Sequence, residues 1–160
     1  MKTIPNAFLG LAFAGLSLFA SISAGAATAP KVSVIVNGTK LVDGKSSINF
    51  GMVTVGSSST PKTFTIKNIG NAALPNIDVV GSGKQKSSFS GTAPKLKTLA
   101  PGQSTTFKGY FKPKVMGTNN MVIHVTNSFD ATTFDIKLTG TGMGRATNMN
   151  GSFPGSPGTL

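Results

Sequence analysis

The chain has 160 residues, a formal net charge of +11 and a hydrophobic share of 39%, with only 12% charged residues. That length suits one domain with extensions, and 20 glycines beside so few charges exclude an architecture of long, charge-faced helices. With no cysteine, thiol catalysis, disulfide stapling and cysteine-held metals or haem are excluded as well.

Lys2 precedes an apolar run from Ala7 to Ile22, and Ala24-Gly25-Ala26 fits the small-x-small pattern of a cleavage site. The run is shorter than the roughly 20 apolar residues that a membrane span needs. Residues 1–26 are therefore expected to be a signal peptide. The mature product is expected to be secreted or periplasmic, without a transmembrane anchor.

Lys31–Val36 reads KVSVIV, a strand, and Asn37-Gly38 marks a turn toward Lys40-Leu41-Val42. Residues 27–45 are expected to form an N-terminal strand or hairpin. The main domain is expected over residues 46–142. Ile48 and Phe50 precede Gly51, and Val53 and Val55 precede Gly56. Thr63 to Lys67 alternates, with Phe64 and Ile66 inward and Thr65 and Lys67 outward.

Asn68 to Asn71 is a turn, Ile77–Val80 a short strand, and Gly81–Ser88 a basic polar loop leading to a core anchor at Phe89. Leu99-Ala100-Pro101-Gly102 turns the chain into a strand from Thr105 to Lys112. There Phe107, Gly109 and Phe111 share one face and Lys108, Tyr110 and Lys112 the other. Met121, Ile123 and Val125 form a further inward set, as do Phe134, Ile136 and Leu138. Gly140-Thr141-Gly142 closes the domain, and residues 143–160, without periodicity, are expected to be a disordered tail. About seven short antiparallel strands separated by turns predict an all-β, immunoglobulin-like β-sandwich.

Four pieces in order carry a family resemblance. They are Asn49-Phe50-Gly51 with Val53-x-Val55-Gly56, then Thr63-Phe64-Thr65-Ile66-x-Asn68-x-Gly70. Leu99-Ala100-Pro101-Gly102-Gln103-Ser104 with the strand to Lys112-Pro113 follows, and Phe134-x-Ile136-x-Leu138-Thr139-Gly140-Thr141-Gly142 ends the series. Together they resemble a bacterial choice-of-anchor D type domain, similar to the Hydin and ASPM/SPD-2 immunoglobulin-like, major-sperm-protein-like modules. The resemblance covers Ser46 to Gly142. It implies an immunoglobulin-like sandwich in an exported or surface protein, and it brings no catalytic residues.

The residues themselves offer little chemistry. The only acids are Asp43, Asp78, Asp130 and Asp135, two of them in turns, which does not suit paired-carboxylate hydrolysis. His124 is the single histidine. It could meet Asp135 on a neighbouring strand, but no nucleophile-elbow pattern accompanies it. Metal sites want more histidines or clustered acids. Gly81-Ser82-Gly83-Lys84 lacks the spacing and the following helix of a phosphate loop. No catalytic residue, metal or cofactor is expected.

The lysines remain. Lys84, Lys86, Lys95 and Lys97 surround one irregular stretch, and Lys108 and Lys112 share a face with Tyr110. A single arginine and inward-facing aromatics argue against specific nucleic-acid binding. The six lysines are candidate contacts for an anionic surface. The expected function is a non-enzymatic, exported structural or protein-interaction module. The alternative is a basic surface protein that holds an acidic glycan or another anionic envelope polymer.

Overall fold

Period-two alternation sets the strands. The computed structural model describes residues 28–145. They form nine strands: β1 (Val32–Val36), β2 (Thr39–Lys40), β3 (Ser47–Thr54), β4 (Lys62–Asn68), β5 (Asp78–Ser82), β6 (Phe89–Gly91), β7 (Ser104–Phe111), β8 (Gly117–Thr126) and β9 (Phe134–Met143). One sheet runs β2-β1-β4-β7-β6 and the other β3-β9-β8-β5. Their apolar faces meet as an immunoglobulin-like β-sandwich.

The inward sets sit where the alternation puts them. Phe64 and Ile66 of β4, Phe107 and Phe111 of β7, Ile123 and Val125 of β8, and Ile136 and Leu138 of β9 are all buried. Phe64 pairs directly with Phe107 across β4 and β7, and their rings stack with centroids 4.7 Å apart and planes 7° from parallel. Such pairs add about 0.5–1.5 kcal/mol to what burial contributes. β1 is bonded on both sides, to β2 and β4, and its Val34 and Val36 belong to the same core cluster. The N-terminal hairpin thus contributes an inner strand to the sandwich.

Three features differ from the expectations. The strands are not all antiparallel: β3 runs parallel to β9, with Ser47 opposite Lys137 and Ile48 opposite Leu138. Alternation has the same period in either direction, so it carries no sign of this, and the chain between β3 and β9 supplies the crossover that a parallel pair requires. The two runs around Gly51 form one strand with a bulge, where Gly51 has φ 78° and donates its N–H to Asn49 Oδ1 at 2.8 Å. The expected tail boundary also moves, because Met143 is the last residue of β9. Residues 146–160 lie outside the described part, as do residues 1–27, which hold the expected signal peptide.

Among the described residues, every buried side-chain nitrogen and oxygen has a hydrogen-bond partner. Asn68, fully buried at the end of β4, accepts N–H bonds from Lys31 and Gly70 at 3.2 and 3.0 Å. It donates through Nδ2 to the carbonyls of Ala72 and Leu99 at 2.7 and 3.0 Å. One side chain therefore ties together the entry to β1, the turn after β4 and the approach to β7.

Candidate functional site

β5 and β6 are outer strands of different sheets. Among the described residues, β5 bonds only to β8, and β6 only to β7. Both border one groove of ≈ 500 Å³ that opens into the space between the sheets. Its floor is apolar, with Phe64, Phe107, Met121, Ile123 and Leu138, and its lining includes Lys86 and Lys108 but no carboxylate.

The register explains how one lysine of each set reaches the same groove. Gly91 of β6 lies opposite Gly109 of β7, and Thr92 continues the pairing through both backbone and hydroxyl bonds to Lys108. That brings Lys108 to the same mouth as Lys86, which stands on a short 3-10 turn, Lys86–Ser88, ahead of β6. Lys112 lines a neighbouring recess with Lys114, Pro113 and the Ser87–Ser90 segment. Lys84 and Lys95 are exposed on the connections flanking β5 and β6.

Lys97 stands apart from the others. Its ammonium donates to Asp78 Oδ1 at 2.9 Å, and both side chains are about half exposed, so the pair contributes little stability. The Lys97 bond, followed by the Val79 backbone N–H, holds the Asp78 carboxyl below its ordinary value.

A second polar constellation crosses the outer face of the four-stranded sheet. His124 of β8 lies directly opposite Asp135 of β9, and its Nδ1 donates to Asp135 Oδ1 at 2.7 Å. Its Nε2 then faces Ser82 Oγ of β5 at 2.8 Å. Thr133 also donates its hydroxyl to Asp135 Oδ1. The Thr133 bond, followed by the His124 bond, holds the Asp135 carboxyl below its usual range.

The order Ser–His–Asp is that of a hydrolase relay, but the surroundings differ. The three side chains lie on a sheet face, and none of them lines the grooves described here. An acyl-transfer site also needs donors aimed at a developing oxyanion and a cleft that holds the substrate. Ser82 falls in the Gly81–Ser88 segment expected to be a loop, and the sequence carries no sign of its contact with His124. That contact appears only once β5 is paired with β8, Val80 opposite His124, which makes Ser82 a diagonal neighbour.

A family model described as HYDIN/CFA65/VesB-like, Ig-like domain matches residues 41–141. The chain belongs to this family. Residues 41–141 are an immunoglobulin-like domain of this family.

Among solved structures, the chain is similar to a Porphyromonas gingivalis protein at 18% identity and TM-score 0.53, over 74% of this chain and 50% of that one. It is also similar to the Vibrio cholerae VesB protease, at 15% identity and TM-score 0.43, over 60% of this chain and 30% of that one. A PapD-like domain of human CEP192 matches at 14% identity and TM-score 0.45, over 71% of this chain and 86% of that one. The chain thus spans half the length of the first of these proteins and less than a third of the second. At these identities the likeness concerns the fold alone. No curated protein sequence matches the chain. Among the described residues, no helix is long and apolar enough to cross a membrane, and no group of three or more His, Cys, Asp or Glu gathers as metal ligands.

Proposed function

We propose that the chain is an exported module that binds a protein partner through the side of the sandwich formed by β5, the 3-10 turn, β6 and the adjoining face of β7. One observation carries this reading. Two unpaired strand edges and the lysine-flanked groove occur together on that side. Unpaired edges are templates for strand addition, and long irregular stretches on a rigid scaffold commonly carry binding. The leader-like residues 1–26 support secretion or a periplasmic location.

A second reading rests on charge. Among the described residues, Lys97 is the only lysine within salt-bridge distance of a carboxylate. Lys84, Lys86, Lys95, Lys108 and Lys112 are left to meet an acidic polymer of the cell envelope.

Cross-linking in intact cells, followed by capture at low and physiological salt, separates the two. One recurrent protein that stays bound at physiological salt supports the partner reading. Acidic envelope material that is lost as salt rises supports the polymer reading. Changing the five lysines together to Gln should abolish the polymer interaction, and unchanged capture would sink it. Fractionation and N-terminal sequencing of the mature protein test export, with Ala27 expected as the first residue.

A further inference from the structure

The groove between β5 and β6 has the features of a seat for an extended chain. β5 offers five residues with one edge unpaired, and Val79, Val80 and Gly81 of that edge line the groove. A strand laid against it would send alternate side chains toward the apolar floor and toward solvent. The floor combines rigid aromatic rings with Met121, an unbranched side chain that adapts to what it meets.

Gly81 lines this mouth beside Met121. A Cβ there would stand 2.4 Å from the Met121 methyl carbon, so the end of this floor side chain would have to shift. The charged residues of the lining, Lys86 and Lys108, are both cationic.

From these features we infer that the groove binds an extended segment of a partner protein by strand addition to β5. The segment places one bulky apolar side chain between the sheets and acidic residues beside Lys86 and Lys108. This deepens the interaction-module reading and rests on it. A second copy of this chain is a poor occupant, because its formal charge of +11, with no glutamate and four aspartates, meets the lysine rim with repulsion.

The test uses the mature chain and a fluorescein-labelled peptide of alternating threonine and valine, with a central phenylalanine and an aspartate at each end. Two control peptides carry lysines in place of the aspartates, or N-methyl groups along one backbone edge. Anisotropy titration should show saturable binding of the aspartate peptide. Binding should be weaker by about 10-fold or more for each control.

Lys86→Glu with Lys108→Glu should reverse the preference between the two charged peptides. Both lysines are exposed, so the fold should survive, and circular dichroism checks this. Gly81→Ala, which displaces only the flexible end of Met121, should weaken all binding. Amide shifts at Val79, Val80 and Gly81 should respond to the peptide.

Equal binding of the N-methylated peptide, indifference to the lysine reversals, or shifts confined to other strands would overturn the inference. So would binding of a fluorescent fatty acid that the peptide does not displace. A partner caught by cross-linking whose capture survives both sets of substitutions would overturn the groove assignment while leaving the interaction-module reading standing. Absence of any captured protein, with the peptide still bound at β5, would count against that broader reading and not against the groove.

Discussion

The ring of Phe111 occupies the space that a side chain on Gly140 would need. A Cβ built on Gly140 would lie 2.5 Å from Phe111 Cε1 and 2.6 Å from Cδ1. Phe111 is fully buried in β7 and also meets Phe89 and Phe50, with centroids 4.9 and 6.3 Å away. Because the ring is held on several sides, it has little room to yield. Gly140→Ala is expected to destabilise the domain by about 1–3 kcal/mol through overpacking. Urea unfolding would measure this, and a loss near zero would mean that the two sheets separate more easily than the packing implies.

This contact also shows what the amino-acid order could reveal. Gly140-Thr141-Gly142 reads as the close of the domain, but Gly140 makes room for Phe111 of the facing sheet and Gly142 for the Pro113–Val115 connection, inside a strand that runs on to Met143. Strands with sustained alternation, such as β4 and β7, were legible because each buries one face. The strand expected over Ile77–Val80 stops short of Ser82, since Gly81-Ser82-Gly83 has turn composition. Only the ladder to β8, reaching Ser82 opposite Val122, keeps it extended. The lysines of the candidate surface were legible as residues and not as a group, because the meeting of Lys86 with Lys108 depends on the pairing of β6 with β7.

The core aromatics should not be equivalent. Phe64 is fully buried and stacked on Phe107, whereas Phe134, in the last inward set, is only half-buried at the start of β9. Phe64→Ala is expected to cost about 3–5 kcal/mol, since it removes the ring and leaves a cavity. Phe134→Ala should cost roughly 1–2 kcal/mol, because less area leaves water on folding. Equal losses in denaturant unfolding would show that the assigned burial is wrong at one of the two positions.

Asn68 should behave as a core residue despite its polarity. Asn68→Ala strips a buried acceptor from the Lys31 and Gly70 N–H groups and a donor from the Ala72 and Leu99 carbonyls. The expected cost is about 2–4 kcal/mol, dominated by groups left unpaired. Hydrogen exchange gives a local check: the Gly70 amide should lose protection in the variant by more than global destabilisation accounts for. Unchanged protection there would remove the side chain from its assigned role.

Asp135 provides the pH dependence. Its carboxyl is held below its ordinary value by the Thr133 hydroxyl and then by His124 Nδ1. Because the folded pKa lies below the unfolded one of about 3.9, its contribution is present above that pH and is lost as pH falls through the folded value. The side chain is about a third exposed, so solvent screening limits the effect to under about 1 kcal/mol. Asp135→Asn should lower the urea midpoint at pH 6 and flatten the fall in stability between about pH 4 and pH 2. Asp78 and Asp130, whose carboxyls are also lowered by their hydrogen bonds, should preserve a residual slope in the variant. Midpoints for wild type and variant that stay parallel across this window would show that the carboxylate's bonds to Thr133 and His124 do not favour its charged form.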